Sequence, residues 1–337
     1  MLRIVKMKYD NMLKLTNYLR EKNYFQREEE DIQITFNDLE FIEPAGAVLL
    51  LTTMDRIKKL EYDYTIEPID GLTQDAISYG TNMGIFQKLG VSSAPSFKSG
   101  GTYLAPTKIV LDELYEKLSI SNITVEEYFE QIAEKIVGKA LDIAESSMEV
   151  NELFVYVVRE IIRNIFDHSG STHFYYALQC YRNTSKVEVV IADVGVGFKA
   201  TVPFDVEEKW FDKDTDENAI KKALIPGLSA HTNHAYAPED YKNSGYGLAL
   251  VSRIIQKTGG LFSIASGLKS ITFTSNSTAT SDCDVNGTVI RMRINLDKLS
   301  DISFDELLKD AQKEAKEKGY SDTPSTASKT LKSKVLK

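Results

Sequence analysis

LFVYVVREIIRNIFDH, residues 153–168, carries an apolar face and a polar one. Leu153, Val157, Ile161 and Ile165 form one i, i+4 ladder, and Phe154, Val158 and Ile162 form the ladder beside it. Spacing of this kind predicts a helix beginning near Asn151 with that face in a core. Glu160 and Asn164 stand four residues apart on the other side and point the same way, and Asp167 and His168 continue the polar surface. Alone, such a pair is an ordinary solvated helix face.

Two later stretches add to it. The run KVEVVIA (186–192) has strand character and leads into Asp193-Val194-Gly195-Val196-Gly197, a carboxylate followed by two glycines at alternate positions. The glycines allow a backbone to come close to a ligand, and the aspartate can accept a hydrogen bond from an amino group. Gly195 to Ala200 also satisfies G-x-G-x-x-A, but residues 201–216 contain Pro203 and clustered acids in place of a crossover helix, which argues against a dinucleotide fold. Further on, Ser244-Gly245-Tyr246-Gly247-Leu248 enters a helix with Leu250, Val251, Ile254 and Ile255 on its apolar face, closed by Gly259-Gly260. Glycine-rich backbone at a helix N-terminus favours an anion, because free amides and the helix dipole point at it. No G-x-x-x-x-G-K-[ST] occurs, so a P-loop is excluded.

In this order and setting, EIIRN (160–164), DVGVG (193–197) and GYGLAL (245–250) resemble the motifs of the GHKL ATPases. That superfamily includes gyrase B, the ninety-kilodalton heat-shock chaperones, MutL and the ATP-binding domain of histidine kinases. The resemblance spans about 123–297 and implies a Bergerat-type α/β sandwich that binds ATP with Mg²⁺. By that resemblance Asp193 would accept from the adenine amino group, Asn164 would hold Mg²⁺, and Glu160 would activate water or a hydroxyl. Gly195, Gly197, Ser244, Gly245, Tyr246, Gly247 and Leu248 would line the nucleotide, and residues 198–244 would be a lid in which Lys242 is a candidate phosphate ligand. Residues 1–167 contain no histidine, so the usual layout of a self-phosphorylating histidine kinase is ruled out. His168 reads as helix-end packing, and His173, His231 and His234 give no metal spacing.

Upstream, DIQITF (31–36) alternates as a strand with a turn at Asn37-Asp38, and Glu43-Pro44-Ala45-Gly46 breaks structure before a helix through Val48, Leu49, Leu51, Met54, Ile57 and Leu60. This block resembles a STAS domain over about 28–92. Phosphorylatable members of that family carry a hydroxyl where Ala45 stands here, so the resemblance implies a docking or dimerisation surface without phosphorylation at that point.

A Ser/Gly/Pro-rich segment at 90–106 suggests a boundary. The division expected is 1–105 STAS-like α/β domain and linker, 106–298 ATP-binding domain led by an amphipathic helix at 123–146, and 299–337 a short frayed helix and flexible tail. Strands are expected at 172–181, 186–192, 261–265, 270–275 and 287–296, and helices at 217–224 and 248–257. Helices and strands mix without regular βαβ alternation, which reads as α+β.

Composition sets bounds on partners. The 337 residues carry 49 acids against 40 bases, a net charge of −9, so a broad nucleic-acid surface is not indicated. With no apolar run of membrane length and no leader-like start, a cytoplasmic protein is expected. Cys180 and Cys283 read as plain thiols. Three functions follow from the resemblance: an ATP-driven conformational switch with slow hydrolysis, a serine/threonine kinase of anti-sigma-factor type, or an ATP-sensing scaffold that does not hydrolyse. Each implies a protein partner, with a second copy of the chain among the candidates.

Overall fold

A computed structural model describes residues 2–24, 32–62, 64–69, 74–91, 101–121, 123–141, 148–202, 215–228 and 245–320. The fold is mixed α and β. Its centre is a five-stranded sheet built from β6 (Tyr103–Val110), β7 (His173–Tyr181), β8 (Lys186–Asp193), β9 (Leu261–Thr274) and β10 (Thr278–Asn295), in the order β6-β7-β8-β10-β9. Every neighbouring pair is antiparallel. That removes the dinucleotide alternative, which needs a parallel crossover from the glycine turn.

β8 is apolar on both faces, and both are covered. Val187, Val189 and Ile191 face a layer formed by α6 (Val125–Leu141), α7 (Met148–His168), α10 (Gly247–Lys257) and α11 (Phe304–Glu317). Both predicted ladders of α7 are buried there. On the opposite face Val190 and Ala192, with Tyr175, Ala177, Ala265 and Val289, share one core with the N-terminal block.

That block contains β1 (Leu2–Arg3), β3 (Ile32–Thr35) and β5 (Tyr64–Ile66) as a parallel trio, and β2 (Lys6–Met7) parallel to β4 (Phe41–Ile42). Helices α1 (Tyr9–Glu21) and α2 (Pro44–Lys59) connect them, with the short α3 (Asp75–Asn82) and α4 (Ile85–Lys88) following. Strand-helix-strand alternation is therefore present in this block, while the central sheet has none, so the chain as a whole mixes helices and strands without a regular alternation. One apolar core also crosses the boundary expected at 105, and Tyr103–Val110, read as partly linker, is a strand of the main sheet.

A buried ion network pins the two halves together. Arg291 donates to Glu43 Oε2 at 2.9 Å and to Glu188 Oε2 at 3.0 Å, while Arg293 donates to the same two oxygens at 2.6 and 2.5 Å. Glu43 also accepts from the Tyr9 amide and Glu188 from the Ala45 amide. Two carboxylates against two guanidiniums make the cluster formally neutral, which lets Glu43, Glu188 and Arg291 leave water while Arg293 stays partly exposed.

Other differences from the sequence reading have local causes. Glu43-Pro44-Ala45-Gly46 opens α2 instead of breaking the chain: Pro44 takes the first turn, where its missing N–H costs nothing. Gly46 is required because a Cβ there would fall 2.1 Å from the Met7 carbonyl oxygen. The strands expected at 261–265 and 270–275 are one, and β10 starts at Thr278, well before the expected 287, because the two form a long hairpin. The C-terminal helix is docked, not frayed. Ser303 caps it by accepting from the Glu306 amide, and Leu307, Leu308, Ala311 and Ala315 are buried. The tail beyond 320 lies outside the described residues. The remaining helices are α5 (Leu111–Ile120), α8 (Phe198–Thr201) and α9 (Asp216–Ala223), and among the described residues no helix is long and apolar enough to cross a membrane.

Candidate functional site

Asp193 ends β8 with its side chain turned into the helical layer, only 2% exposed. Burial pushes its carboxyl up to about 7, against the opposing pull of hydrogen bonds from the Gly195 and Thr288 amides and the Thr288 hydroxyl. Gly195 N lies 2.8 Å from Oδ1. Thr288 is directly across the ladder on β10 and was not singled out in the sequence; its position opposite Asp193 is a matter of strand register.

The glycine turn after Asp193 is packed against its own chain. Val196 N donates to Ser169 O at 2.9 Å, Val194 N to Ser171 Oγ at 3.1 Å, and Asn286 Nδ2 to Val194 O at 3.1 Å. A Cβ on Gly195 would fall 2.0 Å from Ser169 O, so this glycine makes room for the chain itself; the sequence argument had it making room for a ligand. Gly197 has φ +75 and leads into α8, whose first amide, from Phe198, donates to Ser266 Oγ at 3.0 Å.

A cleft opens between these parts. Asn164, His168 and Ser169 line it from the end of α7, Asp193 and Thr288 from the sheet, and Gly197, Phe198 and Thr201 from the α8 side. Asn164 and Asp193, far apart in sequence, thus share one cavity. The Asn164 Nδ2 is buried without a hydrogen-bond partner, an uncommon state for an amide and one that a ligand would relieve. The cavity is narrow, about 30 Å³, which suits a water and is too small for a purine ring as it stands.

Glu160 sits one turn back along α7 and does not line this cleft. Its predicted polar face is covered: the residue is 3% exposed, beneath the start of α10. A Cβ on Gly247 would lie 2.2 Å from Glu160 Oε2, so the carboxylate rests against the first residue of that helix. Arg159 Nη2 is 3.4 Å from the other oxygen. The positive end of the α10 dipole helps hold a buried carboxylate there. Gly245, at φ +73, is backed by Leu228, whose carbonyl oxygen a Cβ would meet at 2.3 Å. Tyr246 makes no side-chain cap to α10, and it and Leu248 are both buried in the helical core, so only their backbone could face a ligand. Lys242 and Ser244, like His231 and His234, lie outside the described residues.

The arrangement offers one acceptor at the sheet end, one orphaned amide, and one carboxylate beside a helix N-terminus. Among the described residues no cluster of three or more His, Cys, Asp or Glu side chains could hold a metal ion. The chain matches no protein-family model and no curated protein.

Proposed function

We propose that this cleft binds ATP with Mg²⁺ and that the chain is a nucleotide-driven switch with slow hydrolysis, built as a GHKL-type sandwich carrying a STAS-like N-terminal block. One observation carries the reading: Asp193 and the unpartnered amide of Asn164 meet in one cavity, while Glu160 on the same helix as Asn164 rests on Gly247. The three motifs that suggested the reading are thus neighbours, and an antiparallel sheet backed by α6, α7 and α10 supports the same fold type.

In this reading Asp193 takes a hydrogen bond from the adenine amino group, which selects adenine over a base with a carbonyl at that position. Asn164 fits a hard cation: its amide oxygen can ligate once the side chain turns, and its Nδ2 is not committed elsewhere. Mg²⁺, when bound, neutralises phosphate charge. The amides at the start of α10 hold the phosphates, and Glu160 draws the proton from the attacking water, a role that contributes about 10²- to 10⁴-fold. Binding displaces α8, because the cavity is too narrow for the base otherwise, and that displacement is the switch.

Incubation of the full chain with γ-labelled ATP distinguishes the outcomes. Release of free phosphate supports slow hydrolysis. Label appearing on an added partner protein would establish the serine/threonine kinase reading in its place, and bound intact ATP the sensing scaffold.

A further inference from the structure

At the opposite end of β8 from Asp193, the turn between β7 and β8, together with Phe41 of β4, Thr102 and Arg293, lines a second, open cavity of about 490 Å³. Its chemistry is one-sided. Arg182, Lys186 and Arg293 line it, with Thr102 and Thr184 supplying hydroxyls, and no carboxylate lines it among the described residues. In a chain with net charge −9 such a concentration of donors is not a sampling of the average surface.

Arg293 is committed at its inner side to Glu43 and Glu188, inside the neutral network described above, and its side chain remains 34% exposed toward the cavity. Neither Arg182 nor Lys186 forms an ion pair among the described residues. A guanidinium fork, an ammonium and the Thr102 hydroxyl, which accepts from Gln179 and keeps its own proton, offer more donors than a carboxylate can accept and suit the three terminal oxygens of a phosphate ester.

The cavity also has an apolar wall. Phe41 lines it and is 42% exposed, and Lys8 Nζ lies 4.7 Å from its ring centroid. Tyr181 adds a second ring, its phenol held protonated by burial, which pushes it up to about 12. The exposed face of Phe41 gains by being covered with a flat ring.

The geometry points to a second ligand site, distinct from the Asp193 cleft, that takes a small phosphate ester carried on a flat ring. It does not depend on the ATP reading. The test uses the full chain and phenyl phosphate, with inorganic phosphate alongside, in calorimetric titration. Phenyl phosphate binds, at least tenfold more tightly than inorganic phosphate. The Arg182→Ala/Lys186→Ala double variant, which alters only exposed side chains, binds it at least tenfold more weakly with an unchanged unfolding temperature. Phe41→Ala brings phenyl phosphate down to the affinity of inorganic phosphate. No binding by the parent chain, or a loss under tenfold in the double variant, overturns the site. Equal binding of the two probes, or no effect of Phe41→Ala, overturns the assignment of a ring-bearing ligand.

Discussion

Replacing Asp193 with asparagine separates the cost of burying this carboxyl from its use. Asparagine keeps an oxygen to accept the Gly195 amide, 2.8 Å away, and removes the ionisation. The carboxyl is raised from an ordinary 3.8 to about 7 chiefly by burial. At about 1.4 kcal/mol per unit, its ionised form therefore costs the fold roughly 4 kcal/mol. For an acid raised on folding, the native state holds a proton that the unfolded chain has already released. Stability is thus undiminished below 3.8, falls as pH climbs toward 7, and levels off above. Between pH 6 and pH 8.5 the parent should lose about 1.4 kcal/mol through this group, and the variant none. Urea unfolding of both proteins at the two pH values reads the difference directly, since every other titrating group cancels. Asp193→Asn should be more stable at both, with an advantage that widens by about 1 kcal/mol or more at pH 8.5. An advantage that stays constant or narrows would refute the buried neutral carboxyl. The same variant should lose ATP, because its outward-facing amide N–H would meet the donor of the adenine amino group.

Asn164→Ala removes a buried donor with no partner, so the ligand-free chain should gain about 1 kcal/mol in urea unfolding while ATP affinity loses its dependence on Mg²⁺; a loss of stability would mean that the amide is satisfied. Glu160→Gln preserves shape against Gly247 and should leave ATP binding intact while lowering phosphate release by about 10²-fold or more; undiminished release would remove Glu160 as the base. Gly46→Ala forces a methyl to within 2.1 Å of a main-chain oxygen, and thermal unfolding should show a loss on the order of 2–4 kcal/mol, since backbone has to move where α2 meets β2. A neutral result there would show that the N-terminal block yields easily.

How far the sequence carried the account depends on the range of the interaction involved. Helix α7 was legible because its two ladders lie within one element, and β8 because its run of Val and Ile ends at an aspartate and glycines. What surrounded them was not. Taken alone, the Glu160 and Asn164 pair reads as a solvated face, because nothing in its own helix says that the start of α10 lies on top of Glu160. The three-layer arrangement did leave a trace: β8 has apolar residues at both alternating sets of positions, which an antiparallel sheet with one wet face would not show. Its one central polar residue, Glu188, is fully buried because Arg291 and Arg293 arrive from the neighbouring strand. Thr288 is a register effect of the same kind, invisible until β10 is laid against β8. Pro44 and Gly46 misled for a different reason. Both are breakers in a helix interior, but at the first turn the proline fits and the glycine admits the Met7 carbonyl.

The central claim is that Asp193 and Asn164 form one nucleotide site, and calorimetric titration of the full chain with ATP and with GTP, each in the presence of Mg²⁺, tests it most directly. The account predicts saturable heat with ATP, none with GTP, and none with either nucleotide for Asp193→Asn. Absence of heat with ATP, or equal heat with both nucleotides, would contradict it.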